Sequence, residues 1–315
     1  MLNERRNQQS ETSIIVTAGS NYLDIDAYAC CVAMAQLLQR KGKRAVAFSA
    51  APCNYSVCAS LLSKTHFLTQ LPPQLSAEDS DYVIVDVSDP EFIKDSVPLH
   101  RVTEVYDHHV GFEEYWEKRI GNGTHIEFIG AAATLVYREW KRAGMQDQLP
   151  RETALLLIAA ILDNTLNLTS SNTTDEDRAV FDELCKKEQI TKEWCAAYFS
   201  AVQQCVEEDL KNALFGDIKS IRDNEVLPSK MAQLCVWNAQ SVLEKLPQIR
   251  VWFAEKKDTW MVNIIDLSQR CSYFVCDECI HQQKIEDVFA VRFESGVAKT
   301  PIAYLRKEII KKTIL

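Results

Sequence analysis

Four short stretches of the chain set carboxylates or imidazoles directly against apolar runs. In the first, Gly19-Ser20-Asn21-Tyr22-Leu23-Asp24-Ile25-Asp26, two aspartates stand two apart in a loop that enters a helical pattern. In the second, Tyr82-Val83-Ile84-Val85-Asp86, an acid follows four apolar residues, and in the third, Val105-Tyr106-Asp107-His108-His109, an acid and two imidazoles end another apolar run. Fourth, Asp163 interrupts the most apolar helical stretch of the chain, which begins at Leu155. A charged or imidazole group at the end of a buried strand is costly to desolvate unless it is paired, hydrogen-bonded or bound to a metal. Four such placements call for a common partner. Asp24, Asp26, Asp86 and Asp163, with one or two imidazoles, make an oxygen- and nitrogen-rich set suited to Mn²⁺, Mg²⁺, Co²⁺ or Zn²⁺. At least five ligands favour two metals about 3.5–4 Å apart over one, the arrangement that serves phosphoryl hydrolysis.

Each piece taken alone has a plainer use. Asp24 and Asp26 suit a helix N-cap and a surface acid. Asp86 suits a strand-end turn, and Asp163 a break between helices, since Asn164-Thr165 follow. Asp107-His108-His109 is the specific element, because adjacent imidazoles at a strand end are uncommon and the preceding acid can orient one of them. The coincidence of all four decides for a metal centre.

These groups need a scaffold that brings them to one edge. Apolar β-branched or alternating runs predict strands at 14–17, 44–48, 82–86 and 103–106. Helical periodicity predicts helices over 26–40, 55–62, 130–142 and 151–166, the last buried nearly all round. A further helix starts at Thr174, an N-cap hydroxyl followed by first-turn acids, and ends near 187. Strands alternating with helices imply an α/β fold, a parallel sheet with helices on both faces. In such open sheets ligands bind at the carboxyl ends of the strands. Beyond the best boundary, near 190, lie a helical region over 192–212 and strand-like runs at 231–237, 260–265 and 273–275, hence a smaller mixed α/β domain. The expected division is 1–190 and 191–315, which agrees with about 150 residues per domain for a chain of 315.

Composition narrows the function. Hydrophobic residues are 47% and charged residues 25%, as in ordinary globular proteins. No apolar stretch approaches the roughly 20 residues of a membrane span, and the polar start of the chain is unlike a secretory signal, so a cytoplasmic protein is expected. The net charge of −9 argues against a long nucleic acid as partner, although a few clustered cations or a bound metal can still hold a small anion. Eleven cysteines, mostly within apolar runs, read as small buried hydrophobes in a reducing compartment. Cys276 and Cys279 form one C-x-x-C without a second pair at zinc-ribbon spacing. Oligomeric state is left open.

Leu23-Asp24-Ile25-Asp26, Asp86, Asp107-His108-His109 and Asp163 occur in the order and at the spacing of the four motifs of the DHH phosphoesterases, which the chain resembles. The second half is similar to the C-terminal (DHHA2-like) domain of the manganese-dependent inorganic pyrophosphatase and exopolyphosphatase (prune-like) branch. Asp217-Ile218-Lys219 resembles its Asp-x-Lys element, and Leu305-Arg306-Lys307 its Ser-Arg-Lys signature. The resemblance implies two Mn²⁺ ions, or Mg²⁺ or Co²⁺, in a cleft between the domains. Asp24 and Asp86 would hold one, and Asp26, Asp86, His108 and Asp163 the other, with Asp86 bridging. His109 would face the substrate as a donor or acid with Asp107 behind it, and Lys219, Arg306 and Lys307 would close on the phosphates. Without it, Arg306 and Lys307 read as part of a solvated basic tail.

The implied activity is hydrolysis of phosphoanhydride bonds in pyrophosphate or short polyphosphate by metal-bound hydroxide. Two departures bear on it. Ser20 stands where the pyrophosphatases place a histidine, implying one weaker metal. Asp86-Val87-Ser88-Asp89 is nearer the form of the nanoRNase and exonuclease branch. The alternatives are therefore a phosphodiesterase on short oligonucleotides or cyclic dinucleotides, and a catalytically weakened regulatory relative.

Overall fold

A computed structural model describes residues 12–19, 22–62 and 66–314 of the chain. The first half runs β1 (Ile14–Thr17), α1 (Ile25–Arg40), β2 (Ala45–Ala47), α2 (Ala59–Leu62), β3 (Asp81–Val85), α3 (Pro90–Ile93), β4 (Val102–Asp107), α4 (Glu113–Ile120) and β5 (Thr124–Ile126). It continues with α5 (Ala132–Arg142), α6 (Arg151–Asn164) and α7 (Asp175–Glu188). The strands form one parallel sheet in the order β2-β1-β3-β4-β5.

Alternation along the strands sends side chains to two different cores. Ile15, Tyr82, Ile84 and Val105 pack with Ile93 and Trp116 of α3 and α4 on one face. Val16, Val83, Val85 and Tyr106 pack on the other against α1, α5 and α6. Buried on both faces, these strands read as apolar runs rather than as amphipathic ones. Helices α1 and α6 also read as apolar nearly all round, because each is enclosed within the larger of those cores.

The second half contains α8 (Lys192–Glu208), α9 (Leu210–Gly216), β6 (Ile218–Ser220), β7 (Lys230–Val236), α10 (Gln240–Leu243), α11 (Leu246–Ala254) and β8 (Trp260–Asp266). It closes with β9 (Cys271–Val275), α12 (Cys279–Phe289), β10 (Val297–Lys299) and α13 (Arg306–Ile314). Its sheet, ordered β10-β9-β8-β7-β6, is mixed: β7 and β8 run parallel and the remaining pairs antiparallel. Leu210, Leu214, Ile249 and Phe253 cover one face, and Ile285, Phe289 and Ile309 the other. The two halves share α8, whose Tyr198, Phe199 and Val202 enter the first core while Val206 enters the second.

The helical region expected over 192–212 consists of two helices divided at Asp209, which leaves helical geometry and caps α9 through Asn212 N. Two local expectations differ. The helix expected over 55–62 begins only at Ala59, because the Asn54 side chain accepts from Ser56 N and Oγ and winds that segment into a turn. Residues 306–312, a solvated tail on the plain reading, begin a helix whose first residue is buried.

Candidate active site

The order 2-1-3-4-5 reverses direction between β1 and β3, and in doubly wound sheets that switch point is where ligands bind, at the carboxyl ends of the strands. The loops leaving β1, β3 and β4 carry three of the four sequence elements. Asp24 caps α1, its Oδ1 accepting from Ala27 N at 2.9 Å. Asp26, fully buried, accepts from Ala132 N and Ala133 N at 2.8 Å each. Those donors are the open N-terminus of α5, whose own cap residue Ala131 has no side chain for the task. The plainer use of an acid at a helix start is therefore realised as well; Oδ1 also accepts from Cys30 Sγ at 3.4 Å, and Oδ2 keeps a lone pair.

Asp86 leaves β3 with a φ of 59°, a left-handed conformation that aspartate tolerates better than most residues and that recurs at functional sites. Asp107 Oδ1 accepts from His108 N at 2.7 Å, His109 N at 3.1 Å and His109 Nδ1 at 2.9 Å. His108 Nδ1 lies 2.8 Å from the Gly130 carbonyl, which can only accept, so Nδ1 carries the proton and Nε2 a lone pair. That lone pair points at Asp86 Oδ1 from 3.3 Å. The pair would be ionic only if His108 were charged, yet burial, then Lys307 and His109, hold its pKa well below the usual imidazole value. With Asp86 ionised, two acceptors therefore face each other in a buried site.

Among the described residues, six buried side-chain polar atoms lack a hydrogen-bond partner, and three of them, Asp86 Oδ1, His108 Nε2 and Asp107 Oδ2, lie here. One ligand atom from each of Asp86, Asp107, His108 and His109 falls within 4.8 Å of the others. Such unpaired acceptors are costly unless a cation meets them. A ligand histidine whose other nitrogen donates to a backbone carbonyl is the usual support for a metal.

Asp24, Asp26 and Asp163 lie outside that tight set but within its field. Burial, then Asp26, Asp24 and Asp107, raise the Asp86 pKa well above the carboxylate range. Burial and Asp24 push Asp26 up to about 7, and burial with Asp24 and Asp26 does the same to Asp163, in the last turn of α6.

The second half contributes cations. Lys307 Nζ lies 3.4 Å from His108 Nδ1, and burial lowers its pKa against the pull of Asp86 and Asp26. Lys219 on β6 is exposed, and the surrounding protein, then Arg306, lower its pKa. Arg306 is only 8% exposed, its Nη2 2.7 Å from Asp217 Oδ1 and its Nη1 2.6 Å from the Asp217 carbonyl. Ser20 lies outside the described residues.

Sequence reasoning missed three supports. Asp177 accepts from Gly130 N, Thr134 Oγ1, Thr174 N and Thr174 Oγ1, and so fixes the loop whose carbonyl orients His108. Gly130 is required there, since a Cβ would lie 2.6 Å from Asp177 Oδ2. Tyr198 Oη reaches Asp163 Oδ1 at 3.4 Å. Tyr22 donates to Asp217 from the other half of the molecule. The capping signal at Thr174 was readable, whereas the long-range partners were not.

No family model matches the chain. A manganese-dependent inorganic pyrophosphatase of Methanothrix thermoacetophila is 23% identical over 270 residues, 82% of this chain and 83% of that protein. A probable manganese-dependent inorganic pyrophosphatase of Lactobacillus helveticus is 23% identical over 301 residues, 90% of this chain and 92% of its own length. Among solved structures, a Methanococcus jannaschii protein assigned as a family II inorganic pyrophosphatase superposes with a TM-score of 0.71 at 19% identity, over 96% of this chain and all of that one. An exopolyphosphatase-related protein from Bacteroides fragilis gives 0.52 at 14% identity, over 96% of this chain and 91% of that one. In sequence and in its two-sheet α/β fold, the chain resembles the manganese-dependent inorganic pyrophosphatase branch of the DHH phosphoesterases.

Proposed function

We propose that this chain is a divalent-metal-dependent hydrolase of phosphoanhydride bonds, acting on pyrophosphate or short polyphosphate in the cytoplasm. The observation that carries the reading is the facing, buried pair Asp86 Oδ1 and His108 Nε2, which a cation would satisfy and which, without one, only a proton held on Asp86 relieves. The names of the similar proteins point the same way and favour Mn²⁺.

In this reading Asp24 and Asp86 would hold one metal, and Asp26, Asp86, His108 and Asp163 the other. The chemistry supplied there would be neutralisation of phosphate oxygens and a lowered pKa of water. The chain itself supplies the rest. Asp107 accepts a hydrogen bond from His109 Nδ1, so that Nε2 is the outward nitrogen; in the doubly protonated imidazolium, Nε2 would pass its proton to the leaving phosphate and keep the Nδ1 proton. Lys219, Lys307 and Arg306 bind the substrate's negative charge, Arg as a planar fork and the lysines as point charges. Residues 1–190 form the metal-binding part and 191–315 the substrate-binding part.

The test is phosphate release by chelator-stripped protein from pyrophosphate, tripolyphosphate and a dinucleotide, with Mn²⁺, Mg²⁺ or Co²⁺ added back. Metal-dependent release from an anhydride is expected. Cleavage of the dinucleotide alone would favour the phosphodiesterase alternative, and no release from any substrate would favour the regulatory one.

A further inference from the structure

Tyr22 lies in the loop after β1, yet its hydroxyl donates to Asp217 Oδ1, 195 positions away at the edge of the second sheet. The same Asp217 oxygen receives Arg306 Nη2 at 2.7 Å, and that nitrogen also lies 3.5 Å from the Tyr22 hydroxyl. Arg306 Nη1 is directed at two carbonyls, Asp217 O at 2.6 Å and Met231 O at 3.4 Å. Both terminal nitrogens of the guanidinium are thus held by protein atoms. A substrate phosphate can take Nη2 only in exchange for Asp217, because the 3.5 Å contact with the Tyr22 hydroxyl is at the limit of a hydrogen bond.

We propose that Tyr22 is a positioning residue for substrate binding, which acts through Asp217 to orient Arg306 and to loosen the grip of Asp217 on it. The proposal rests on the reading of Arg306 as a phosphate ligand. The phenol, neutral in its ordinary form, donates to Asp217 Oδ1. Its proton occupies a lone pair of Asp217 Oδ1 and draws carboxylate charge away from Nη2. Without the hydroxyl, Asp217 holds Arg306 alone, and the guanidinium is costlier to surrender to substrate. The link also joins the loop that carries Asp24 and Asp26 to the substrate-binding half.

The test compares Tyr22→Phe with the parent chain, fully loaded with Mn²⁺. KM for pyrophosphate should rise about three- to thirtyfold, the range for one lost hydrogen bond to a charged group, with kcat changed less than about twofold. Mn²⁺ affinity should not move. In an Arg306→Ala background the same substitution should change KM less than about twofold, because its route of action is gone. An equal rise in both backgrounds, or a fall in kcat with KM unchanged, would overturn the proposal. Asp217→Asn provides a second, near-isosteric variant, and its effect should not add to that of Tyr22→Phe. If the parent chain releases no phosphate from pyrophosphate or tripolyphosphate, the hydrolase reading fails by itself. Calorimetric binding of pyrophosphate then decides on Tyr22, and binding undiminished in Tyr22→Phe overturns its role.

Discussion

The two sides of the cleft are in opposite electrostatic states. On the side of the first sheet, Asp86, Asp107 and His108 present buried atoms that no described residue satisfies by a hydrogen bond. On the side of the second, Arg306 is buried with its terminal nitrogens taken by Asp217, Met231 and Tyr22. The acceptor side is incomplete and gains by binding a cation. On the donor side Arg306 must exchange partners at its terminal nitrogens to bind an anion. Affinity for metal should therefore be built into the fold, whereas affinity for phosphate should be set by competition within the protein.

The most damaging change should be Asp86→Ala, which deletes an orphaned oxygen and the proposed bridge between the metals. Activity should fall at least about a thousandfold, ~4 kcal/mol of barrier, and a drop below about tenfold in phosphate-release kinetics would contradict bridging. Next comes Arg306→Ala on the donor side. It should lower kcat/KM about 10- to 1000-fold while metal content, read by mass spectrometry, stays constant. Coupled loss of metal would mean that the two sides are not separable in the way described.

Asp177→Ala should act on the acceptor side through its scaffold. Removing a buried carboxylate that accepts from Gly130, Thr134 and Thr174 should cost about 2–4 kcal/mol in urea unfolding and loosen the carbonyl that orients His108. Unchanged stability would show that this network is replaceable.

The smallest effect concerns pH. Asp26 and Asp163 titrate near 7 in the folded, metal-free chain and near 4 when unfolded. Between those values the folded state binds more protons, so these groups withdraw stability as pH rises from about 4 to about 7. Cations reverse that penalty by replacing protons. The rise in melting temperature on adding Mn²⁺ should therefore be larger at pH 8 than at pH 5.5, and an equal or opposite difference would contradict the assignment of these acids to the site.

How much of this was legible depended on the range of the interaction. The runs at 14–17 and 82–86 become β1 and β3 with shifts of at most one residue, since strands buried on both faces spell themselves as apolar runs. Helix α7 starts at its Thr174 cap because the box with Asp177 closes within four residues. Asp86 and His108 were legible as costly placements, which is a local property. The tie between Tyr22 and Asp217 was not, because an aromatic in a polar loop carries no mark of a partner in another sheet. Strands β6 and β10, three residues each at the sheet edges, escaped for want of periodicity.

The central claim, that the facing acceptors at Asp86 and His108 await a cation, is tested most directly by calorimetric titration of chelator-stripped protein with Mn²⁺ at neutral pH in two buffers of different ionisation enthalpy. The account predicts saturable binding with release of protons from the raised carboxyls, and loss of that signal in Asp86→Ala. Binding in the variant as tight as in the parent chain, or no proton release, would contradict it.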